Sequence, residues 1–242
     1  MLNSENLKEF IKKFQTNQKN IIREYIQNLF LANLYRIDGA EKLLFKGGTA
    51  LRLIYSSPRF SEDLDFTAHG IRSHGEIDDL FISTLTELEK MNIDIAYKEA
   101  KPTTGGYLGV IHYNTSEQSE DMKFEVSLRK VGSISGELIT IASELVPPYV
   151  LMQISPKKLV SGKMDALLSR KKPRDYYDLY FMLRNQELNR LVDKKILKKA
   201  SENLKSERID FKKELSVLLP ASHQMILKNF VNILSNEIKK YL

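Results

Sequence analysis

The feature that most constrains this chain is a pair of short segments. A strand-like apolar run, Leu43-Leu44-Phe45, meets Lys46-Gly47-Gly48-Thr49, and about 15 residues later comes Ser61-Glu62-Asp63-Leu64-Asp65-Phe66. Adjacent glycines after an apolar run predict a tight turn out of a strand, and Ala50 to Tyr55 continues as a helix. The second segment reads as another strand. Residues i and i+2 of a strand share a face, so Asp63 and Asp65 project together while Leu64 and Phe66 face the core. Two carboxylates side by side repel one another unless a cation or a proton intervenes. Hard oxygen ligands of this kind suit Mg²⁺ or Mn²⁺. Taken singly, a Gly-Gly pair is most often only a turn, and Asp-x-Asp only a solvated strand end. The order turn, helix, loop, strand makes the two together point to a site.

A third carboxylate is available in Met122-Lys123-Phe124-Glu125-Val126-Ser127-Leu128, where apolar residues hold the even positions and Glu125 lies on the other face. If this strand lies beside the Asp63/Asp65 strand, three acidic groups converge. Three carboxylates can hold two metal ions that clamp a nucleoside triphosphate and activate an acceptor hydroxyl. The Gly47-Gly48 turn then has a use, because glycine lets the backbone approach phosphates and the following helix N-terminus favours an anion.

Around these segments the chain reads as mixed α/β. Residues from Asn3 to about Ile37 read as helix, with Ile21, Ile22, Tyr25, Ile26, Leu29 and Phe30 at helical spacing. Glu76 to Met91 is an amphipathic helix. Ile93–Tyr97, Tyr107–Tyr113 and Met122–Leu128 are strand candidates separated by turn-rich segments, and Val150–Ile154 is one more. Ser155-Pro156 looks like a helix start, and helices follow, broken near Lys172-Pro173, Asn185 and Pro220. The character changes near Pro147-Pro148, which predicts a mixed domain over 1–148 and a helical domain over 149–242. Charge changes there too. From Val150 onward there are 20 Lys and Arg against 10 Asp and Glu, and before it 17 against 21. An acidic half suits metal cations, and a basic half suits phosphates or RNA.

The 242 residues include no cysteine, which excludes disulfides, a thiolate metal site and a cysteine nucleophile. No run of about 18 apolar residues exists, and the polar start MLNSENLKEF does not resemble a signal peptide. A cytoplasmic protein without a membrane partner is the expectation. His69, His74, His112 and His223 show no metal-ligand spacing, and HGIRSHGE reads as a loop over the cleft.

KGGTALRLIY followed by PRFSEDLDF resembles the signature of the AbiEii-like nucleotidyltransferases, within the DNA-polymerase-β-type superfamily. The second half agrees: Lys163, Ala166-Leu167 and Arg170 on one helix, then Arg174-Asp175-Tyr176-Tyr177-Asp178-Leu179. The resemblance spans about Phe45 to Leu183. It implies a nucleotidyltransferase fold with a small mixed sheet and a helical domain. Gly48 and Thr49, with Lys46 and Gly47 beside them, would bind the triphosphate. Asp63 and Asp65 would bind metal, with Glu125 a less regular third ligand. Lys163 would contact a nucleotide phosphate, Asp178 would be a further acidic residue of the catalytic site from the helical half, and Arg170 and Arg174 would hold phosphate or tie the helices together. From spacing alone, Lys163, Leu167 and Arg170 share a helix face, Arg174 and Asp178 form an i,i+4 pair, and Asp175 reads as a structural salt-bridge partner.

Many such proteins are toxins of type IV toxin–antitoxin, abortive-infection pairs. The resemblance therefore implies transfer of a nucleoside monophosphate from a nucleoside triphosphate to an acceptor hydroxyl, with RNA, and the 3′ end of tRNA first, as acceptor, and a cognate antitoxin as partner. The rivals are a catalytically weak module that binds RNA or an antitoxin, and an enzyme that modifies a protein or small molecule.

Overall fold

The computed structural model describes residues 2–129, 135–206 and 208–242. Two helices open it, α1 (Ser4–Phe14) and α2 (Gln18–Leu34). A single helix was expected here. Gln15, in the left-handed region at φ 51°, ends α1, and the Asn17 side chain caps α2 by accepting from the Asn20 N–H at 2.9 Å. Both α2 faces are buried. Besides its apolar residues it buries Asn20, Arg23, Glu24, Gln27 and Asn28, which serve as anchors for loops around it.

The strands are β1 (Leu43–Lys46), β2 (Leu64–Ala68), β3 (Asp94–Thr103), β4 (Gly106–Asn114), β5 (Ser119–Ser127), β6 (Gly136–Ile141) and β7 (Tyr149–Ile154). Between β1 and β2 lies α3 (Gly47–Leu53), and between β2 and β3 lies α4 (His74–Lys90). They form one mixed sheet in the order β3-β4-β5-β2-β1-β7-β6. β2 pairs antiparallel with β1 and parallel with β5, and β7 pairs parallel with β1. The aromatic centre of one sheet face is formed by Phe30 of α2, Phe81 of α4 and Phe124 of β5, with ring centroids 5.0 Å apart for Phe30–Phe124 and 4.6 Å for Phe81–Phe124. Leu64 and Phe66 are fully buried, as the alternation predicted.

After the sheet come α5 (Pro156–Arg170), α6 (Pro173–Arg184), α7 (Lys194–Ser206), α8 (Phe211–Leu215) and α9 (Phe230–Lys239). The expected α/β architecture with a following helical region is therefore present. Three expectations shift. β7 is a strand of the sheet, so the change to all-helical structure falls after Ile154 rather than at Pro147-Pro148. β6 was not foreseen; it is an edge strand whose Gly136 to Leu138 are exposed, so apolar alternation is weak. The HGIRSHGE stretch does not line the cleft described below. Ser73 caps α4, His74 begins it, and Ile71 faces Gly39 and Lys42.

Candidate active site

Sheet register sets one polar row. Lys46 of β1 stands opposite Asp65 of β2, and Asp65 stands opposite Glu125 of β5. The conditional expectation that the Glu125 strand lies beside the Asp63/Asp65 strand is met, because β2 and β5 are direct neighbours. Asp63 immediately precedes β2 and is half-buried like Asp65, opposite in facing to Leu64 and Phe66.

At the end of β1 the chain turns through Gly47, at φ 87°, into α3. A Cβ on Gly47 would fall on the Asp65 carboxylate. Both the conformation and the close approach therefore require glycine. Gly48 is crowded by donors: a Cβ there would lie 2.6 Å from Arg59 Nη2, 2.7 Å from Ser61 Oγ and 3.5 Å from Lys163 Nζ. Thr49 is fully buried, and its hydroxyl donates to the Asp63 carbonyl at 2.5 Å. It ties α3 to the acidic segment rather than presenting a free hydroxyl.

The loop between α3 and β2 is held from three sides. Gln27 of α2 donates to the Ser61 and Glu62 carbonyls, both at 3.1 Å. Arg52, stacked 3.9 Å over the Phe60 ring, donates to the Ser57 carbonyl at 3.0 Å. The Phe60 N–H donates to the Leu218 carbonyl at 2.8 Å. This anchoring aims Arg59, which is 3% exposed, at Asp178 of α6.

Asp178 is buried beneath the site. Arg59 grips it through Nε at 2.9 Å and Nη2 at 3.1 Å, and Lys163 Nζ of α5 donates to it at 2.8 Å. Burial alone would raise this carboxyl; the two cations outweigh it and hold Asp178 below its ordinary range. Arg59 has no role in the reading from sequence. It lay in the quoted PRFSEDLDF segment, but its partner is 119 residues away, so no local pattern exposes it. The expected Arg174–Asp178 pair does not form. Arg174 reaches Glu62 at 3.5 Å and Glu214 at 3.3 Å, because the buried Arg59 and Lys163 occupy Asp178. Arg170 donates to Asp175 at 2.6 Å, and Asp175 also accepts from the Lys172 N–H at 3.2 Å, tying α5 to the start of α6.

These elements enclose a cleft with two lobes. The wide lobe is about 670 Å³ and includes Glu125, Ser127 and the β3–β4 turn in its walls; the narrow lobe is about 200 Å³ and includes Gly47, Lys158 and Lys163. Lys46, Asp65, Ala166 and Arg170 line both. Burial, with Asp65 and Glu62 nearby, pushes the Asp63 carboxyl up to about 6. Burial likewise lowers the Lys46 ammonium, against the pull of Asp65 and Glu125.

Asp63, Asp65 and Glu125 form no ion pair or side-chain hydrogen bond among the described residues. Crowded hard-oxygen groups that no close ion pair neutralises fit a divalent metal ion. Among the described residues no three His, Cys, Asp or Glu side chains are gathered closely enough to hold one. Asp63 and Asp65 thus stand as a pair, with Glu125 a neighbour across the strands.

The fold is shared with solved structures. JHP933 from Helicobacter pylori superposes with a TM-score of 0.60 at 20% identity, covering 93% of this chain and 96% of that one. MenT4, a nucleotidyltransferase toxin from Mycobacterium tuberculosis, superposes with a TM-score of 0.69 at 16% identity, covering 99% of this chain and 90% of that one. No curated protein matches the chain. The family described as nucleotidyl transferase AbiEii toxin, type IV TA system, matches residues 29–236. That span takes in the glycine turn, the three carboxylates, Arg59, Lys163 and Asp178, and most of the chain, and this protein accordingly belongs to the AbiEii family of nucleotidyltransferase toxins.

Proposed function

We propose that this enzyme moves a nucleoside monophosphate from a nucleoside triphosphate to a hydroxyl at the 3′ end of an RNA, tRNA first, in the cytoplasm, and that a cognate antitoxin restrains it. The observation that carries the reading is the register of Lys46, Asp65 and Glu125 across β1, β2 and β5, beside the Gly47-Gly48 turn.

The triphosphate would lie on the backbone of Gly47, Gly48 and Thr49, in the narrow lobe. Lys163 and Arg59 would neutralise it, and Lys46, Arg170 and Arg174 would bring further positive charge to its edge. Asp178 acts as a positioning residue, because its carboxylate is spent on holding Arg59 and Lys163 over Gly48. Asp63 and Asp65 would hold Mg²⁺ or Mn²⁺, and Glu125 on the neighbouring strand would become a third ligand only by moving in toward the ion. That ion would supply charge neutralisation and alignment of the α-phosphate. The acceptor oxygen attacks the α-phosphorus in line, its proton leaves to solvent, the bond to the bridging oxygen breaks, and pyrophosphate departs. Positioning and charge stabilisation supply most of the rate. The sheet region through Ile154 carries the carboxylates, and the helical region after it offers 20 Lys and Arg to the RNA backbone against 10 Asp and Glu.

The test incubates the purified protein with Mg²⁺, total cellular RNA and each of four α-labelled nucleoside triphosphates, beside Asp65→Asn. Label on small RNA with the wild type alone supports the reading and names the nucleotide. Label on protein, or on nothing while RNA stays bound, overturns it in favour of a protein acceptor or of a binding module.

A further inference from the structure

The wide lobe of the cleft carries one cation that the chemistry so far leaves idle. Arg129 follows β5 at its wall, near the β3–β4 turn. The Leu128 N–H donates to the Gly105 carbonyl at 3.0 Å, which joins this segment to that turn. Gly105 sits at φ 83°, and a Cβ there would lie 3.2 Å from both Cγ and Nε of Arg129. The arginine stem is thus laid along the turn. Three other cations of the site have carboxylate partners: Lys163 has Asp178, Arg170 has Asp175, and Arg174 has Glu62 and Glu214; Lys46 stands opposite Asp65 in the sheet register and feels its pull. Among the described residues, Arg129 has no ion pair and no hydrogen bond.

We propose that the wide lobe is the acceptor subsite, and that Arg129 grips the phosphodiester nearest the attacking 3′ hydroxyl of a nucleic-acid strand. This rests on the RNA reading above. Three observations carry it. The narrow lobe holds the glycine turn and Lys163, so the triphosphate end is assigned to that side. The wide lobe, at about 670 Å³, has the volume of a complete ligand site, ~300–1,000 Å³, beyond the triphosphate. Its walls offer hydroxyls at Thr103, Thr104 and Ser127, and bare backbone at Gly105 and Gly106, which suits a sugar–phosphate strand. A guanidinium is the side chain that binds a phosphate through two parallel donors. The acceptor's own phosphate would also supply the counter-charge that Arg129 lacks among the described residues.

The test uses the full chain and two short RNA strands identical except that one carries an uncharged methylphosphonate at its last linkage. Binding is read by fluorescence anisotropy at fixed salt, apart from turnover. Wild type should bind the charged strand about tenfold more tightly than the neutralised one. Arg129→Gln should bind both alike, and Arg129→Lys should keep only part of the preference. Nucleoside triphosphate binding should be unchanged in both variants. The proposal is overturned if the wild type shows no preference, if Arg129→Gln keeps the full preference, or if triphosphate binding falls with the variant, which would assign Arg129 to the nucleotide. RNA that is labelled by the wild type yet indifferent to its last linkage sinks the Arg129 role alone. Failure to bind either strand sinks it together with the RNA reading.

Discussion

At Asp63 the site holds a charge that folding by itself works against. Its carboxyl is raised to about 6 from the ordinary 3.8, with burial the largest cause and Asp65 the next. The folded state therefore binds this proton more tightly than the unfolded chain. Below pH 4 both states are protonated and the group is neutral toward stability. Between pH 4 and 6 the unfolded chain releases the proton first, and above pH 6 the full penalty stands. A shift of this size corresponds to about 2–3 kcal/mol, reduced to about 1–2 kcal/mol by partial exposure to solvent. Asp63→Asn should gain that stability at pH 7, lose the gain near pH 4, and abolish transfer. Urea unfolding without divalent ions at both pH values measures it, and an Asn variant no more stable than wild type at pH 7 would refute the account. Residues whose placement follows from local alternation were legible: Asp65 and Glu125 stand opposite one another because strands alternate and β2 adjoins β5, and Asp63, just before β2, lies close enough to Asp65 to feel its charge. The partner of Asp178 was not, because Arg59 and Lys163 reach it only through tertiary packing that a helical i,i+4 rule does not contain.

Among the elements, the β1–α3 junction fixes the site most tightly. Gly47 has a positive φ, and the space of its missing Cβ belongs to the Asp65 carboxylate. An L-residue there meets backbone strain of about 1–3 kcal/mol and must also displace Asp65. Gly47→Ala should lower stability by at least about 2 kcal/mol and remove transfer. Retention of wild-type stability in urea would mean the turn relaxes and the close approach is not required. This junction was readable because glycine after an apolar run is a local signal. The α1–α2 break was not, since Gln15 supplies a left-handed turn that glycine or asparagine would have advertised. β3 and β4 run longer than their apolar stretches suggested. Their register extends to Thr103↔Gly106 at the turn, so cross-strand pairing carries them past the point where sequence pattern fades.

For the whole molecule, the change of charge along the chain does not mark a separable unit. The buried apolar residues form one cluster running from Leu7 to Ile238, and β7 sits inside the sheet between β1 and β6. The catalytic lobe depends on the helices in two specific places. The buried Phe60 loop donates its N–H to Leu218, and buried Arg59 has its counter-charge on Asp178. Removing the helices leaves Arg59 without that partner, a loss of about 3–5 kcal/mol, and also uncovers the apolar residues packed against α5 and α6. Domains are stable by only about 5–15 kcal/mol in total. A chain ending at Ile154 should therefore collapse without fixed packing: weak near-ultraviolet dichroism, dye binding, and a broad urea transition in place of a sigmoidal one. If that fragment unfolds cooperatively and still binds a nucleoside triphosphate, the sheet is a domain in its own right, and the Arg59–Asp178 contact is an interface between two units rather than part of one core.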